Sequence, residues 1–273
     1  MQKILLPGTD LQTARLGFGT ASLHHAVRSS DRQALLSSAL DAGFTHFDTA
    51  RMYGEGMAER ELGRFLVGQR QNVTLATKFG IPAIASFERV PPLLYAHRAF
   101  GGIGRRIWRE RWDRRRHLFS PDAAEQSLVR SLRALRTDWV DILFVHEPQT
   151  SDASALLMLE DWLARQKTSG RVRYLGLAGN AQFCAAIAKQ ADGLFDVLQV
   201  EDSLTTLEAD AVLALGRPLQ ITFGYLRQAA GVGVAPVDGE GLIRAALKRN
   251  AQGMVLVSSR RPERLQTLAA LGD

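Results

Sequence analysis

Short runs rich in Val, Ile, Leu and Phe alternate along this chain with longer stretches in which apolar residues recur at helical spacing. The runs read as strands at residues 15–18, 45–48, 73–77, 140–145, 174–177, 197–200, 219–223 and 253–257, because each is too short for a helix and is bounded by turn residues. The stretches between them read as helices at 31–41, 57–66, 122–135, 153–166, 181–189, 204–215, 239–249 and 262–271. Ser120-Pro121 ahead of Glu125, and Pro262-Glu263, mark helix starts, where proline's missing N–H would be unpaired in any case. A short hairpin around Pro7-Gly8-Thr9-Asp10 precedes the first unit. Eight strand-then-helix units with no Gly-, Pro- or Ser-rich linker between them predict one α/β domain over residues 1–273, a (β/α)8 TIM barrel. The alternative is an open doubly wound sheet. That fold would carry a glycine-rich phosphate loop after its first strand, and Gly17-Phe18-Gly19-Thr20-Ala21-Ser22-Leu23 lacks the third glycine.

Composition supports a globular chain: 46% of the 273 residues are hydrophobic and 23% charged. The net charge of +6 suggests an anionic partner, but its distribution changes the picture. Eight of the 34 Lys and Arg residues fall within 98–116, against only Glu110 and Asp113, and the rest of the chain is balanced. This basic segment belongs to a stretch, residues 79–120, far longer than the roughly 2–6 residues that usually join strand to helix. It reads as an insertion over the catalytic face of the barrel: a lid, a pocket wall, or a solvated helix with Trp108 and Trp112 packed on the barrel. It matches no nucleic-acid-binding module, so no nucleic acid is expected as a partner. Cys184 is the single cysteine, which excludes an intramolecular disulfide and a thiolate metal site within one chain. The start of the chain breaks at Pro7 after three apolar residues, unlike a secretory signal. No apolar run reaches the roughly 18–20 residues that span a bilayer. A cytoplasmic protein with no metal and no membrane association is expected.

In a (β/α)8 barrel, active sites form at the C-terminal ends of the strands. Asp48 closes the second predicted strand, with Tyr53 five residues further on; Lys78 follows the third strand and His146 the fourth. Each alone has an ordinary structural role open to it: a cap for Asp48, rim packing for Tyr53, a solvated strand end for Lys78, a hydrogen-bonded core position for His146. Together they leave three consecutive strands at one face. Their chemistry is complementary. A tyrosine, with an ordinary pKa of about 10, is a weak acid at neutral pH, and a neighbouring ammonium favours its phenolate. Asp48 can hold the Lys78 ammonium in place, while His146 can donate a hydrogen bond to the oxygen that Tyr53 protonates. Such a group stabilises an alkoxide developing from a carbonyl. No covalent nucleophile, GxSxG elbow, HExxH pair or P-loop accompanies it.

Several segments match one known pattern in order and spacing: Leu16-Gly17-Phe18-Gly19-Thr20, residues 42–50 with Tyr53-Gly54, Ala76-Thr77-Lys78, residues 127–141 leading to His146, Arg171-Val172-Arg173-Tyr174-Leu175-Gly176, and Leu198-Gln199-Val200-Glu201. On these residues the chain resembles the aldo-keto reductase family over nearly its whole length. The resemblance implies an NADP-dependent oxidoreductase that reduces the carbonyl of a small aldehyde or ketone by hydride transfer. Tyr53 would be its general acid, assisted by Lys78, Asp48 and His146. By the same resemblance Gly19 and Thr20 border the cofactor and Gln199 holds the nicotinamide carboxamide, although a strand-end glutamine can also simply satisfy a loop. Phe223 would stack on the nicotinamide, with Tyr225 taking that role if the match slips and core packing as the other role open to Phe223. Ser259, Arg260 and Arg264 match the segment that binds the adenosine 2′-phosphate, at a helix start whose free N–H groups and arginines suit a phosphate. The chain departs from the family at Ala178-Gly179, where Ser-Asn is usual, at Thr267-Leu268, where Glu-Asn contacts adenine, and at Asp202, where an aromatic residue is common. These departures keep a second reading open, a nucleotide-sensing or binding barrel with little catalysis. The expected partner is a small-molecule carbonyl substrate, and the pattern gives no oligomeric state.

Overall fold

The computed structural model describes residues 1–84, 117–226 and 238–273. The arginine-rich segment 98–116, with Trp108 and Trp112, lies outside the described residues, as does most of the 79–120 insertion. Strands β1 (Lys3–Leu5) and β2 (Gln12–Ala14) form the N-terminal hairpin. The next eight are β3 (Leu16–Gly19), β4 (His46–Asp48), β5 (Thr74–Phe79), β6 (Val140–His146), β7 (Val172–Gly179), β8 (Val197–Glu201), β9 (Ile221–Phe223) and β10 (Met254–Val257). They pair in parallel in chain order, and β10 returns to β3 through Val255↔Leu16 and Val257↔Phe18, so the barrel is closed. Around it lie α1 (Ser29–Asp41), α2 (Met57–Phe65), α3 (Pro121–Leu135), α4 (Ala153–Leu157), α5 (Glu160–Thr168), α6 (Ala181–Gln190), α7 (Asp210–Leu213), α8 (Gly239–Arg249) and α9 (Pro262–Leu271). The (β/α)8 architecture read from the alternating pattern is the one that forms.

Every second strand residue faces the barrel interior, as the pleat requires. Ala76, Ile142, Phe144, Ala178, Val197, Ile221 and Met254 pack into one interior cluster, and Leu6 and Leu11 of the hairpin join it, stopping the N-terminal end of the barrel. The alternate residues, among them Phe47, Leu75, Leu143, Leu175, Leu198 and Val255, face the helices in a second, larger cluster. At the hairpin end, Asp141 on β6 is buried and accepts from Leu75 N (2.8 Å), Arg70 (2.9 Å) and Arg173 (2.9 Å), an arrangement that ties β5, β6 and β7 together.

Local chemistry explains where the helices start and where the expectations fail. The Ser120 hydroxyl accepts from Ala123 N with Pro121 in the first turn of α3, and Pro262 opens α9. The helix expected over 204–215 shrinks to α7. Ser203 Oγ accepts from Thr206 N (3.0 Å), Asp202 Oδ1 accepts from Ala209 N (3.0 Å), and Leu207 has φ 51°, so side chains take the amides that a helix would have used. The helix expected over 153–166 divides into α4 and α5 at a tightened turn in which Leu159 N donates to Leu156 O. The long connection after β5 starts and finishes at one point: Leu118 N donates to Gly80 O at 2.8 Å, and the Phe119 ring stands edge-on to Phe79.

Two positions are tightly constrained. Helices α2 and α3 cross so closely that a Cβ on Gly63 would lie 2.1 Å from the Ala134 carbonyl oxygen. Inside the barrel, His46 bonds Thr74 Oγ1 through Nδ1 (2.8 Å) while its Nε2 has no partner. Burial, aided by the Lys78 ammonium, pushes the His46 pKa down to about 3.

Replacing Gly63 by Ala is expected to destabilise the fold by roughly 1–3 kcal/mol, measurable by urea unfolding; an unchanged midpoint would show that the helices separate without cost. Because the folded-state pKa of His46 is depressed, both states are neutral there above pH 6.5, and below it the unfolded chain takes up a proton that the folded chain refuses. Stability is therefore expected to fall from about pH 6.5 towards pH 3, by up to about 1.4 kcal/mol per pH unit from this group. His46→Gln should flatten that slope in denaturation curves collected across this range, and an unaltered slope would remove His46 as its source.

Candidate active site

The interior columns that are apolar in the middle of the barrel end in polar side chains at the C-terminal mouth. Asp48 ends β4, Lys78 lies one residue before the end of β5, His146 ends β6 and Gln199 lies near the end of β8. Both Lys78 and His146 are thus inside their strands rather than just beyond them. The register His146↔Ala178↔Gln199 places three successive strands level with one another. With Gly19, Tyr53 and Phe223 these residues line a cavity of about 690 Å³, a size that suits a small-molecule site.

The centre of the site is an ion pair. Lys78 Nζ donates to Asp48 Oδ1 and to the Thr49 carbonyl (2.9 Å), and both side chains are about 2% exposed. Burial pushes the Lys78 ammonium below its ordinary pKa and the Asp48 carboxyl above its own, and the charge of each partner opposes the shift of the other. Lys78 Nζ also lies 5.1 Å from the centroid of the Tyr53 ring. The His146 ring meets the Tyr53 ring edge-on, with centroids 5.7 Å apart and planes at 82°. Burial, then the charge of Lys78, holds the His146 pKa well below its ordinary value, which leaves a neutral imidazole with one N–H to donate.

Tyr53 sits on the turn between β4 and α2. Its N–H donates to Ala50 O (3.0 Å) and its carbonyl accepts from Ala58 N (3.2 Å). Buried Arg51 pairs with buried Glu59 at 2.6 Å, and Thr77 Oγ1 donates to the other Glu59 oxygen at 2.7 Å. The turn carrying Tyr53 is therefore fastened to the strand residue next to Lys78. Glu55 Oε2 accepts from Ile84 N (2.6 Å) and holds the chain just beyond β5. Sequence reasoning passed over Arg51, Glu55 and Glu59. The available signal was Glu59, which shares a helix stripe with Leu62, Gly63 and Leu66 and so places a carboxylate among apolar positions.

The remaining candidates divide. The Gln199 side chain acts to lower the Asp48 pKa against the rise from burial, and its Oε1 is buried in the cavity wall with no hydrogen-bond partner among the described residues. Gly19 lines the cavity. Thr20 is fully buried, with both N and Oγ1 donating to Asp48 O, and it holds β3 against β4 instead of facing the cavity. Phe223 and Tyr225 both line the wall, but the Tyr225 hydroxyl is spent on Asp202 (2.7 Å), which also binds Arg249 (2.6 Å). Asp202 is thus an anchor for the loops after β8 and β9. Asn180 caps α6, accepting from Gln182 N and Phe183 N, so its side-chain oxygen is committed away from the cavity. Glu147, which the sequence reading also passed over, lines the mouth beside Gly179. Ser259 Oγ is tied into its own turn by Arg261 N (3.1 Å) and Arg261 O (3.0 Å). Arg260 and Arg264 are exposed at the start of α9, just past Val257 and Ser258 of the cavity wall. Among the described residues, no helix is long and apolar enough to cross a membrane.

The chain is similar to known proteins. A family model of the aldo/keto reductase family matches residues 15–216. A D-threo-aldose 1-dehydrogenase from a Pseudomonas species is 29% identical over 234 residues, 84% of this chain and 67% of that protein. An NADP(+) aldo-keto reductase from Schizosaccharomyces pombe, yakc, is 30% identical over 210 residues, 74% of this chain and 53% of that protein. This chain thus spans about two-thirds of the first relative and about half of the second. Among solved structures, an aldo-keto reductase from Klebsiella pneumoniae in complex with NADPH superposes with a TM-score of 0.70 at 16% identity, covering 100% of this chain and 89% of that one. With a closed eight-stranded barrel, a polar cluster at its mouth and a family match across most of its length, this chain belongs to the aldo/keto reductase family.

Proposed function

We propose that this protein is an NADPH-dependent carbonyl reductase whose catalytic residues are Asp48, Tyr53, Lys78 and His146. The observation that carries the reading is their convergence on one cavity in which Gln199 Oε1 is a buried acceptor with no protein partner. The residues fit a nicotinamide: its carboxamide N–H2 suits that acceptor, and Phe223 offers a ring face in the same wall. Gly19 borders the same end. The exposed Arg260 and Arg264 at the uncapped start of α9, with Ser259 holding the turn, supply cations and free backbone N–H groups for a 2′-phosphate. When bound, the reduced cofactor supplies a hydride.

The chain's own residues do the rest. A carbonyl oxygen placed between the Tyr53 hydroxyl and the neutral His146 N–H accepts two hydrogen bonds that strengthen as it becomes an alkoxide. Tyr53 hands over its proton, and the phenolate left behind faces the Lys78 ammonium. Asp48 keeps that ammonium charged and fixed, and the Arg51–Glu59–Thr77 chain keeps Tyr53 in register with it.

NADPH is expected to quench the tryptophan fluorescence and to be oxidised in the presence of an aldehyde. Tyr53→Phe should lower turnover by about 100-fold or more while leaving the Kd for NADPH unchanged. Binding without turnover on a broad panel of aldehydes and ketones would instead favour a nucleotide-binding barrel, and no binding at millimolar nucleotide would sink the cofactor assignment. Arg264→Ala should weaken NADPH about tenfold, roughly 1.4 kcal/mol, and leave NADH unaffected; titrations of the two nucleotides against the variant distinguish a 2′-phosphate contact from a general loss of fold.

A further inference from the structure

Three successive residues directly after Tyr53 have left-handed backbone: Gly54 (φ 56°), Glu55 (φ 55°) and Gly56 (φ 79°). Glycine adopts this conformation freely, whereas a residue with a Cβ does so at a cost. The two glycines have a second reason to be there. A Cβ on Gly54 would stand 2.7 Å from His24 Cβ, and one on Gly56 would stand 3.0 Å from the Arg51 guanidinium. Position 55 has the same backbone and carries a glutamate instead. That side chain is withdrawn from water, since Glu55 is 2% exposed, and its Oε2 accepts the Ile84 N–H at 2.6 Å. A strained conformation persists only where its surroundings fix it. Here the residue that bears the backbone cost also makes a contact 29 positions away.

Both ends of that contact belong to the cavity. On one side, Glu55 N donates to Met52 O at 3.1 Å, and the Tyr53 carbonyl accepts from Ala58 N at 3.2 Å across the left-handed run. Met52 and Tyr53 line the cavity. On the other side, Ile84 lies three residues past Ile81, which lines the same cavity. Residues 81–84 have no regular secondary structure, so contacts such as this one set where they lie. The Arg51–Glu59–Thr77 contacts fasten the Tyr53 turn to β5 itself, and Glu55 fastens it to the chain that leaves β5.

We propose that Glu55 is a positioning residue: through Ile84 N it locks the cavity wall at residues 81–84 to the turn that carries Tyr53, so that a substrate resting on this wall meets the Tyr53 hydroxyl at a fixed place. The kinetic consequence rests on the carbonyl reductase reading given above, and the coupling of the two segments rests on the contact alone. Proton transfer needs the hydroxyl and the carbonyl oxygen within hydrogen-bond reach, and a misplacement of about 1 Å at such a site costs about 100-fold in rate. Gln199 and Phe223, which the cofactor reading uses, stand on β8 and β9, away from this contact. The step that depends on Glu55 is therefore the chemical one, and nucleotide binding is independent of it.

The test combines hydrogen exchange by mass spectrometry with kinetics on the unmodified chain, Glu55→Ala, Glu55→Gly and Glu55→Gln. Glu55→Ala is expected to speed exchange in the peptides covering 51–58 and 79–84 together. In both the Ala and the Gly variant the single-turnover rate of NADPH oxidation by an aldehyde should fall about 10- to 100-fold, with the Kd for NADPH unchanged. Glu55→Gly, free of the backbone cost, should nevertheless unfold at a higher urea concentration than Glu55→Ala. Glu55→Gln, whose amide oxygen can still accept from Ile84 N, should recover most of the rate. A rate that simply follows the urea midpoint, with Gly regaining what Ala loses, would show a purely structural role and overturn the proposal. Faster exchange in only one of the two peptides, or an unchanged rate in both variants, would do the same. If the unmodified chain oxidises NADPH with no carbonyl compound, the reductase reading fails; joint acceleration of the two peptides then still supports the coupling, and its absence removes it.

Discussion

A lysine and an aspartate, both almost wholly removed from water, face each other across the ends of two neighbouring strands. Taking two charges into a protein interior costs several kcal/mol per ion, and only close pairing with further hydrogen bonds offsets it. The fold around Asp48 and Lys78 supplies those terms. Thr49 O accepts a second hydrogen bond from the ammonium, the Gln199 side chain favours the charged form of the carboxylate, and the register Asp48↔Ala76 brings the end of β4 level with the strand that bears Lys78. That register exists only because the barrel is closed and filled from below by Ile142, Phe144, Ile221 and the hairpin leucines. The same pair orients the site, since Tyr53 is placed over one side of the ammonium and the low pKa of His146 follows partly from its charge. Stability and chemistry are thus joined in one interaction.

Much of this was legible in the sequence. Alternating short apolar runs and helical stretches gave the barrel, because parallel strands buried on both faces have no polar side to display. The strand-end residues Lys78 and His146 stood out since each is polar where the inward residue before it is apolar, and Asp48 stood out as a carboxylate closing its strand. The less legible features depend on contacts distant in sequence. Nothing local marks Thr20 as a brace for the Asp48 carbonyl, or Asp202 as the shared acceptor of Tyr225 and Arg249. The helix expected over 204–215 failed for a readable reason, since Asp202, Ser203 and Thr206 offer the backbone competing partners. Glu147 escaped attention because an exposed glutamate after a histidine is unremarkable until the empty side of Gly179 is seen beside it.

The two ends of the barrel are used differently. At the hairpin end, Asp141 gathers Arg70, Arg173 and a backbone amide, and Trp139 lies flat against the Arg70 guanidinium at 3.6 Å. Its charges are paired within the protein, although Arg70 Nε is itself buried without a hydrogen-bond partner. At the mouth, the buried Gln199 Oε1 has no hydrogen-bond partner among the described residues. Unsatisfied groups of this kind are costly where nothing binds, and they accumulate where something does.

The junction at Gly80 and Leu118 has a consequence for how such a chain can change. The barrel itself brings these two residues together, through a backbone hydrogen bond and the Phe79–Phe119 contact, so the ends of the intervening segment are joined whatever its length. Closing a loop costs only about 0.6 kcal/mol more for each doubling of its length. Residues can therefore be gained, lost or exchanged between those two points with little effect on the strand register that holds Lys78. The junction works as a graft point, through which the surroundings of the mouth can be rewritten while the barrel stays the same.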